Sequence, residues 1–237
     1  MAGRPQRLVL LLGDPPGLDR RPIVVEGLNR ADLPFSPAVV GPPVPLCGVR
    51  EAAMELPELL RRYRPDAVHL SLGHSDIARR IESDGNSYTR ERIPDIELHL
   101  HQIIDAAAEL ATSELVIATT TPVNDGQQDE IRMSDVDRLN GMIRSVAENR
   151  DILVDRVDKA VSNSILPATS HDPWPSPHID EDGYSLTRIG QQVVASSTVR
   201  SICDVLLRAE HPWRKALRMG LSSPFEGLAK PPHPELD

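Results

Sequence analysis

Five short runs rich in apolar residues, separated by segments with helical periodicity, constrain the fold of this chain more than any other feature. The first run, Leu8 to Leu12, is apolar at every position, as is typical of a strand buried on both faces of a parallel sheet. The other runs are 36–41, 66–72, 114–120 and 151–155. Because parallel neighbours are joined by crossovers, usually helices, this alternation predicts βαβ units with right-handed connections.

The segments between these runs carry apolar residues at helical spacing. Helices are predicted for 50–63, 90–111 and 135–148, and a further one follows Gly190 and continues to about residue 206. Residues 18–35 are poorly periodic, and the Pro-, Ser- and Asp-rich stretch 162–177 is predicted as a loop. We therefore expect an α/β fold, a three-layer α/β/α sandwich around a five-stranded parallel sheet.

The chain changes character near its C-terminal end, so we predict one α/β domain over residues 1–208 and a Pro-rich tail over 209–237. The segment 211–219 is basic and amphipathic. We expect this tail to contact a protein partner or a sister subunit, and packing against its own domain remains an equal alternative.

Composition excludes several classes of partner. The net charge of −9 and the aromatic content of 3% disfavour a nucleic-acid interface, which needs a basic face and often stacking rings. No apolar run approaches the length of a membrane span, and Leu8 to Leu12 is too short for a signal-peptide core. Cys47 and Cys203 lie in apolar surroundings, as free thiols do in a reducing compartment. The sequence thus predicts a cytoplasmic protein without membrane insertion.

The stretch before the last helix, Asp182-Gly183-Tyr184-Ser185-Leu186-Thr187, followed by Gly190, lies at a loop-to-helix junction. It resembles the last sequence block of the SGNH (GDSL-type) hydrolases, in which the third residue after the Asp is the catalytic His. That position holds Ser185 in this chain. The resemblance covers residues 7 to 207 and is carried by four blocks in the family's order.

The other three blocks follow predicted strands. Gly13-Asp14-Pro15 resembles the family's Gly-Asp-Ser, Gly48 stands in the second block, and Gly73-His74-Ser75-Asp76 resembles Gly-x-Asn-Asp. Ligands of open α/β sheets bind at the carboxyl ends of the strands. The resemblance therefore implies a ligand cleft lined by Gly13, Pro15, Gly48, Gly73, Asp76 and His178.

In the family, Ser attacks an ester, the Asp-His pair activates it, and the Ser N–H, Gly N–H and Asn amide bind the oxyanion. Carried over by position, this chain keeps Gly48 and Asp182 but has Pro15, Ser75 and Ser185 at the remaining positions. Proline supplies neither a hydroxyl nor a backbone N–H. The leading hypothesis is a domain that has lost Ser-esterase chemistry and acts as a binding or assembly component.

A rewired hydrolase acting on an ester or an acylated sugar is the alternative. Its candidate catalytic side chains are Asp14, His74, Ser75, Asp182 and Ser185. His178 lies seven residues before Ser185 and could serve as a relocated base. His74 and Ser75 are adjacent, and adjacent side chains of an extended chain point in opposite directions, so they would meet only across a turn.

Metal and nucleotide sites are weaker alternatives. His171, His178 and Asp180 carry ligand-type side chains, but no HExxH spacing fixes them, and a solvated loop is the simpler interpretation. The loop from Gly13 to Gly17 is neither GxGxxG nor a Walker loop, and its two prolines remove backbone donors that would hold phosphate. No cofactor is expected.

Overall fold

The computed structural model describes residues 4–13, 20–42, 46, 48–81, 87–89, 91–109, 114–123, 131–164, 178–181, 183 and 185–209. The proposed tail, from residue 210 onward, lies outside these ranges, as do Asp14, Pro15, His171 and Asp182.

A five-stranded parallel sheet in the order β2-β1-β3-β6-β7 forms the centre of the fold. Its strands are β1 (Gln6–Gly13), β2 (Ser36–Val40), β3 (Ala67–Ser71), β6 (Glu114–Ala118) and β7 (Leu153–Asp155). Two further strands, β4 (Arg79–Ile81) and β5 (Ser87–Thr89), form a separate antiparallel pair. The parallel register runs from Gln6 opposite Ser36 to Ala118 opposite Asp155. The predicted five-stranded parallel sheet is confirmed.

Helices cover both faces of this sheet. They are α1 (Arg21–Arg30), α2 (Val49–Tyr63), α3 (His74–Ile77), α4 (Ile93–Glu109), α5 (Met133–Asn149), α6 (Val157–Ser164) and α7 (Arg188–Ala209). Helices α1 and α7 pack on one face, and α2, α4 and α5 pack on the other. In the part of the chain that the structure describes, no helix is long and apolar enough to cross a membrane.

Strand β1 shows why its sequence is apolar at every position. Val9 and Leu11 belong to the core shared with α1 and α7, whereas Leu10 and Leu12 belong to the core shared with α2, α4 and α5. Successive side chains of a strand point to opposite faces, so a central strand of a three-layer sandwich must be apolar on both. At about 25 cal/mol per Å² of buried apolar surface, these two cores are the main source of stability.

Helix α1 and the short elements near β3 and β7 were not predicted from the periodicity of the sequence. In α1 only Val24 and Leu28 are buried, four residues apart, and the rest of the helix carries charged and partly exposed residues. Pro22 stands in its first turn, where the missing N–H costs nothing. The last three residues of α6 lie in the stretch 162–177 that was predicted as a loop, and no element was predicted for the β4–β5 pair.

Candidate functional site

The glycines of the first three sequence blocks lie at or beyond the carboxyl ends of the strands. Gly13 ends β1, Gly73 follows β3 and precedes α3, and Gly48 precedes α2. Gly48 and Gly73 have φ angles of 138° and 131°, in a region that favours glycine. A Cβ at Gly73 would lie 2.6 Å from Leu139 Cδ2, and one at Gly48 would collide with Asp76. Both positions therefore require glycine for conformation and for space.

Asp76 fixes this edge. Its carboxylate is 2% exposed and accepts hydrogen bonds from Val49 N–H at 3.0 and 3.1 Å, one to each oxygen. Its backbone carbonyl accepts from Glu91 N–H at 2.8 Å. Because Val49 is the first residue of α2, Asp76 satisfies a donor that the helix itself leaves unpaired. Asp76 thus holds the turn at Gly48 against α3.

The Asp76→Ala variant is expected to lose about 1.5–3 kcal/mol of unfolding free energy, because a buried N–H loses a charged acceptor. Urea denaturation measures the loss. Glu58→Ala is the matched control, because Glu58 is 69% exposed and pairs with Arg61 on the same helix. An Asp76→Ala loss no larger than that of the control would show that the carboxylate does not hold this turn.

His74 lies at the start of α3 and its ring is directed at the segment that follows β6. His74 Nε2 lies 3.2 Å from Thr121 O and 3.3 Å from Thr121 Oγ1. A carbonyl only accepts, so the contact assigns the ring proton to Nε2. Burial is the main reason that the pKa of His74 is lowered to about 4. The hydrogen bond to the Thr121 carbonyl opposes this effect, and the positive charge of Arg20 lowers the pKa further. His74 is therefore neutral at pH 7.

We expect a histidine NMR titration to find His74 with a pKa near 4, assigned with the His74→Gln variant. Because this pKa lies below the unfolded value of about 6.5, the unfolded state binds more protons between those values. Stability should therefore fall as pH drops from about 6.5 toward 4, and less steeply in His74→Gln. A His74 pKa near 6.5 would contradict the burial.

The last block forms a tight turn that leads into α7. Ile179 and Leu186 form an antiparallel bridge, and Asp180 N–H donates to Ser185 O at 2.8 Å. Gly183 has a φ of 82° within this turn. Gly190 lies so close to the His178 carbonyl that a Cβ there would collide with it. These contacts give a structural reason for the glycines of this block, whereas Asp182 lies outside the described residues.

His178, which precedes this turn, is 4% exposed and packs against α6. Its Nε2 lies 2.9 Å from Ser164 Oγ, and that hydroxyl also donates to Val161 O at 2.8 Å. The Ser164 proton is thereby used on the carbonyl, so the oxygen accepts from His178 Nε2–H. Ser164 was not among the residues predicted from the sequence, because no motif surrounds it.

Two further polar side chains, those of Asn140 and Thr119, order the segment after β6. The side chain of Asn140 brackets Thr120, accepting from Thr120 N–H at 2.7 Å and donating to Thr120 O at 2.9 Å. Thr119 Oγ1 donates to Asp158 Oδ1 at 2.8 Å. Burial tends to raise the pKa of Asp158, but Arg156 and Thr119 outweigh it and hold that pKa below its usual value. These contacts fix the position of the segment that lies beside His74.

A buried polar network lies beneath the site, on the face covered by α7. Asp155, fully buried at the end of β7, accepts from Ser197 Oγ at 2.5 Å and Thr198 Oγ1 at 3.0 Å. Ser197 contacts Asp155 Oδ1, whereas Thr198 and His69 both contact Asp155 Oδ2, with His69 Nε2, on β3, at 2.9 Å. The network joins β3 and β7 to α7.

The metal hypothesis gains no support from the described residues. No group of three His, Cys, Asp or Glu side chains among them is arranged to hold an ion, and His178 is engaged with Ser164. His171, the other histidine of that hypothesis, lies outside the described ranges.

No family model matches the chain, and no curated protein matches it. Several solved structures match the chain. A lipase/acylhydrolase from Enterococcus faecalis is 17% identical, with a TM-score of 0.66 over 84% of this chain and 96% of its own. The acetylxylan esterase Axe2 from Geobacillus stearothermophilus is 17% identical, with a TM-score of 0.63 over 85% and 96%.

A protein described as a GDSL-like lipase, from Parabacteroides merdae, is 14% identical, with a TM-score of 0.64 over 86% of this chain and 98% of that chain. These matches span nearly the whole of each known structure. Together with the four sequence blocks, they show that this chain has the fold of the SGNH (GDSL-type) hydrolases.

Proposed function

We propose that this protein is an SGNH-fold domain without Ser-esterase chemistry, and that its strand-end cleft binds a ligand or partner. One observation carries the proposal: where the family has its catalytic His this chain has Ser185, and the neighbouring His178 is committed to Ser164. A general base must lie within reach of the proton that it removes. In the described structure, Nε2 of His74 and Nε2 of His178 both donate a hydrogen bond, so neither is set up to accept a proton from a hydroxyl.

The direction of the hydrogen bonds supports this reading. In a working pair the hydroxyl donates to the imidazole, which then removes its proton. Ser164 instead donates to Val161 O and accepts from His178 Nε2. His74 likewise uses Nε2 on the Thr121 carbonyl. Both contacts are those of structural histidines.

The loss of oxyanion donors is a further reason to expect no Ser-esterase activity. By position, the family's Asn is Ser75, whose hydroxyl is a shorter donor, and the family's nucleophile is Pro15. Removing one oxyanion donor costs about 10²–10³-fold in rate. An enzyme that lacked the donor, the nucleophile and the base would retain no triad mechanism.

A divergent ester hydrolase is the second candidate, and a specific distance favours it. The 2.9 Å separation of His178 Nε2 and Ser164 Oγ is within the range of a nucleophile–base pair. Rotation of the Ser164 hydroxyl away from Val161 O would reverse the hydrogen bond. This candidate predicts that Ser164 and His178 are both required for turnover.

Hydrolysis of short-chain aryl esters tests the proposal. The purified wild-type protein is expected to show no turnover above buffer, and the Ser164→Ala and His178→Ala variants are expected to match it. Ser75→Ala and His74→Ala are measured alongside them, with the same expected result. Substantial wild-type turnover that any of these variants abolished would overturn the proposal and establish the hydrolase in its place.

A further inference from the structure

A partly open cavity of about 230 Å³ lies at the amino ends of β6 and β7, the end of the sheet opposite the strand-end cleft. Its walls are the C-terminal parts of α4 and α7, the start of β6, and the turn that leads from α5 into β7. The apolar part of the lining consists of Ile104, Ala107, Leu115, Ile152, Leu153 and Val205.

This cavity leaves apolar surface of the domain incompletely covered. Leu115, Ile152 and Leu153 lie at the margins of the two cores and are each only half-buried. Apolar side chains that share one concave surface, unlike scattered exposed ones, are typical of an interaction site. Pockets for cofactors and drug-sized ligands measure about 300–1,000 Å³. At about 230 Å³, this cavity is better matched to one large side chain.

The chain leaves α7 at the wall of this cavity. Val205 and Arg208, from the end of α7, line it, and the helix ends at Ala209. Trp213 is the first large apolar residue after Ala209. Four residues reach at most about 14 Å, which keeps Trp213 close to the cavity. A group on so short a tether has an effective concentration on the order of millimolar, so even a weak contact favours docking within one chain.

Charge favours the same occupant. The segment 211–219 has three cationic side chains and no acidic one, in a chain whose net charge is −9. The cavity is lined by the carboxylates of Glu114 and Asp151 and by two arginines, of which Arg150 is paired with Asp105 at 3.2 Å. Surface ion pairs contribute little individually, so charge adds to the apolar contact without replacing it.

We propose that the segment 211–219 docks on the domain of its own chain, with the Trp213 ring inserted in this cavity against Leu115, Ile152 and Leu153. An enclosed aromatic side chain buries about 150–250 Å². Its insertion covers the apolar surface that the domain leaves half-exposed. The proposal does not depend on the chemistry of the strand-end cleft, which lies at the other end of the sheet.

Acrylamide quenching of Trp213 fluorescence tests the docking. The full chain carries Trp174→Phe, so that Trp213 is its only tryptophan. We expect Trp213 to be quenched several-fold less than free N-acetyltryptophanamide. Adding Ala108→Arg places a bulky cation at an exposed position of the cavity lining and should raise the quenching several-fold, toward that of the free amide. Leu98→Arg is the matched control on α4, because Leu98 is 56% exposed and lies outside the lining, and it should leave the protection unchanged.

Trp213 quenched as readily as the free amide, or equal protection in the Ala108→Arg and Leu98→Arg variants, would overturn the proposal. Circular dichroism establishes that both variants are folded. Light scattering over a range of protein concentrations distinguishes docking within one chain from docking on a second copy. Protection that persists in the monomer supports the proposal, whereas protection that disappears as a dimer dissociates would overturn it.

Discussion

The Asp155→Ala variant is expected to lose about 3–5 kcal/mol of unfolding free energy, because removing one partner of a buried pair leaves the others unsatisfied. Asp155 is fully buried, and His69, Ser197 and Thr198 all direct polar atoms at its carboxylate. Urea denaturation measures the loss. These contacts join β3, β7 and α7, so their loss should also broaden the transition.

Asp105→Ala provides the matched control for this prediction. Asp105 pairs with Arg150 at 3.2 Å, with the two side chains 58% and 44% exposed, and such surface pairs contribute about 1 kcal/mol or less. A His69→Leu/Asp155→Leu double variant should recover part of the Asp155→Ala loss, since it removes the unpaired imidazole. Equal losses for Asp155→Ala and Asp105→Ala would contradict the network.

The Asp155 carboxylate also makes the stability of the fold depend on pH in acid. Burial tends to raise the pKa of Asp155, but the hydrogen bond and charge of His69, with Ser197 and Thr198, outweigh it and hold that pKa below its usual range. A pKa lower in the folded state stabilises the fold above the unfolded value of about 3.9, and that stability is lost as pH falls through the folded pKa. Stability below about pH 4 should therefore fall less steeply in Asp155→Asn.

Restoring the three family positions is expected to create an esterase. The Pro15→Ser/Ser75→Asn/Ser185→His variant should hydrolyse aryl esters about 10³-fold or more faster than the wild type, since an intact triad supplies up to about 10⁶-fold. The prediction relies on features still in place, namely the glycine turns at Gly48 and Gly73 and the carboxylate of Asp76.

The double variant Pro15→Ser/Ser75→Asn, which lacks the base, is the control for this gain. It should remain within about tenfold of the wild type, because a serine without a base is a weak nucleophile. Circular dichroism and thermal unfolding establish that both variants are folded. A folded triple variant no faster than the double variant would mean that Ser185 does not stand in the place of the catalytic His.

The sheet was predictable because its central strands β1, β3 and β6 contribute buried residues to the cores on both faces. A run such as Leu8 to Leu12 has only one common explanation in a chain of alternating strands and helices. Helix α1 was not predictable by the same logic, since it buries only Val24 and Leu28 along its length. Periodicity detects an element in proportion to the apolar surface that the element buries.

The candidate site was predictable only where a block pattern exists. Gly48, Gly73 and Asp76 came from such blocks, and the structure brings Asp76 onto the Gly48 turn. The pair His69 and Asp155 lies 86 residues apart in sequence and depends on the order of the strands, which no local pattern encodes. Ser164 was missed for the same reason, because its partner His178 lies 14 residues further along the chain.

Reaction with a fluorophosphonate followed by intact-mass spectrometry tests the central claim most directly. An activated serine displaces fluoride and keeps the phosphonyl group, which adds a fixed mass. The account predicts that the wild-type protein keeps its mass, while the Pro15→Ser/Ser75→Asn/Ser185→His variant gains one adduct at position 15. A stoichiometric adduct on the wild-type protein, mapped to Ser75, Ser164 or Ser185, would contradict it.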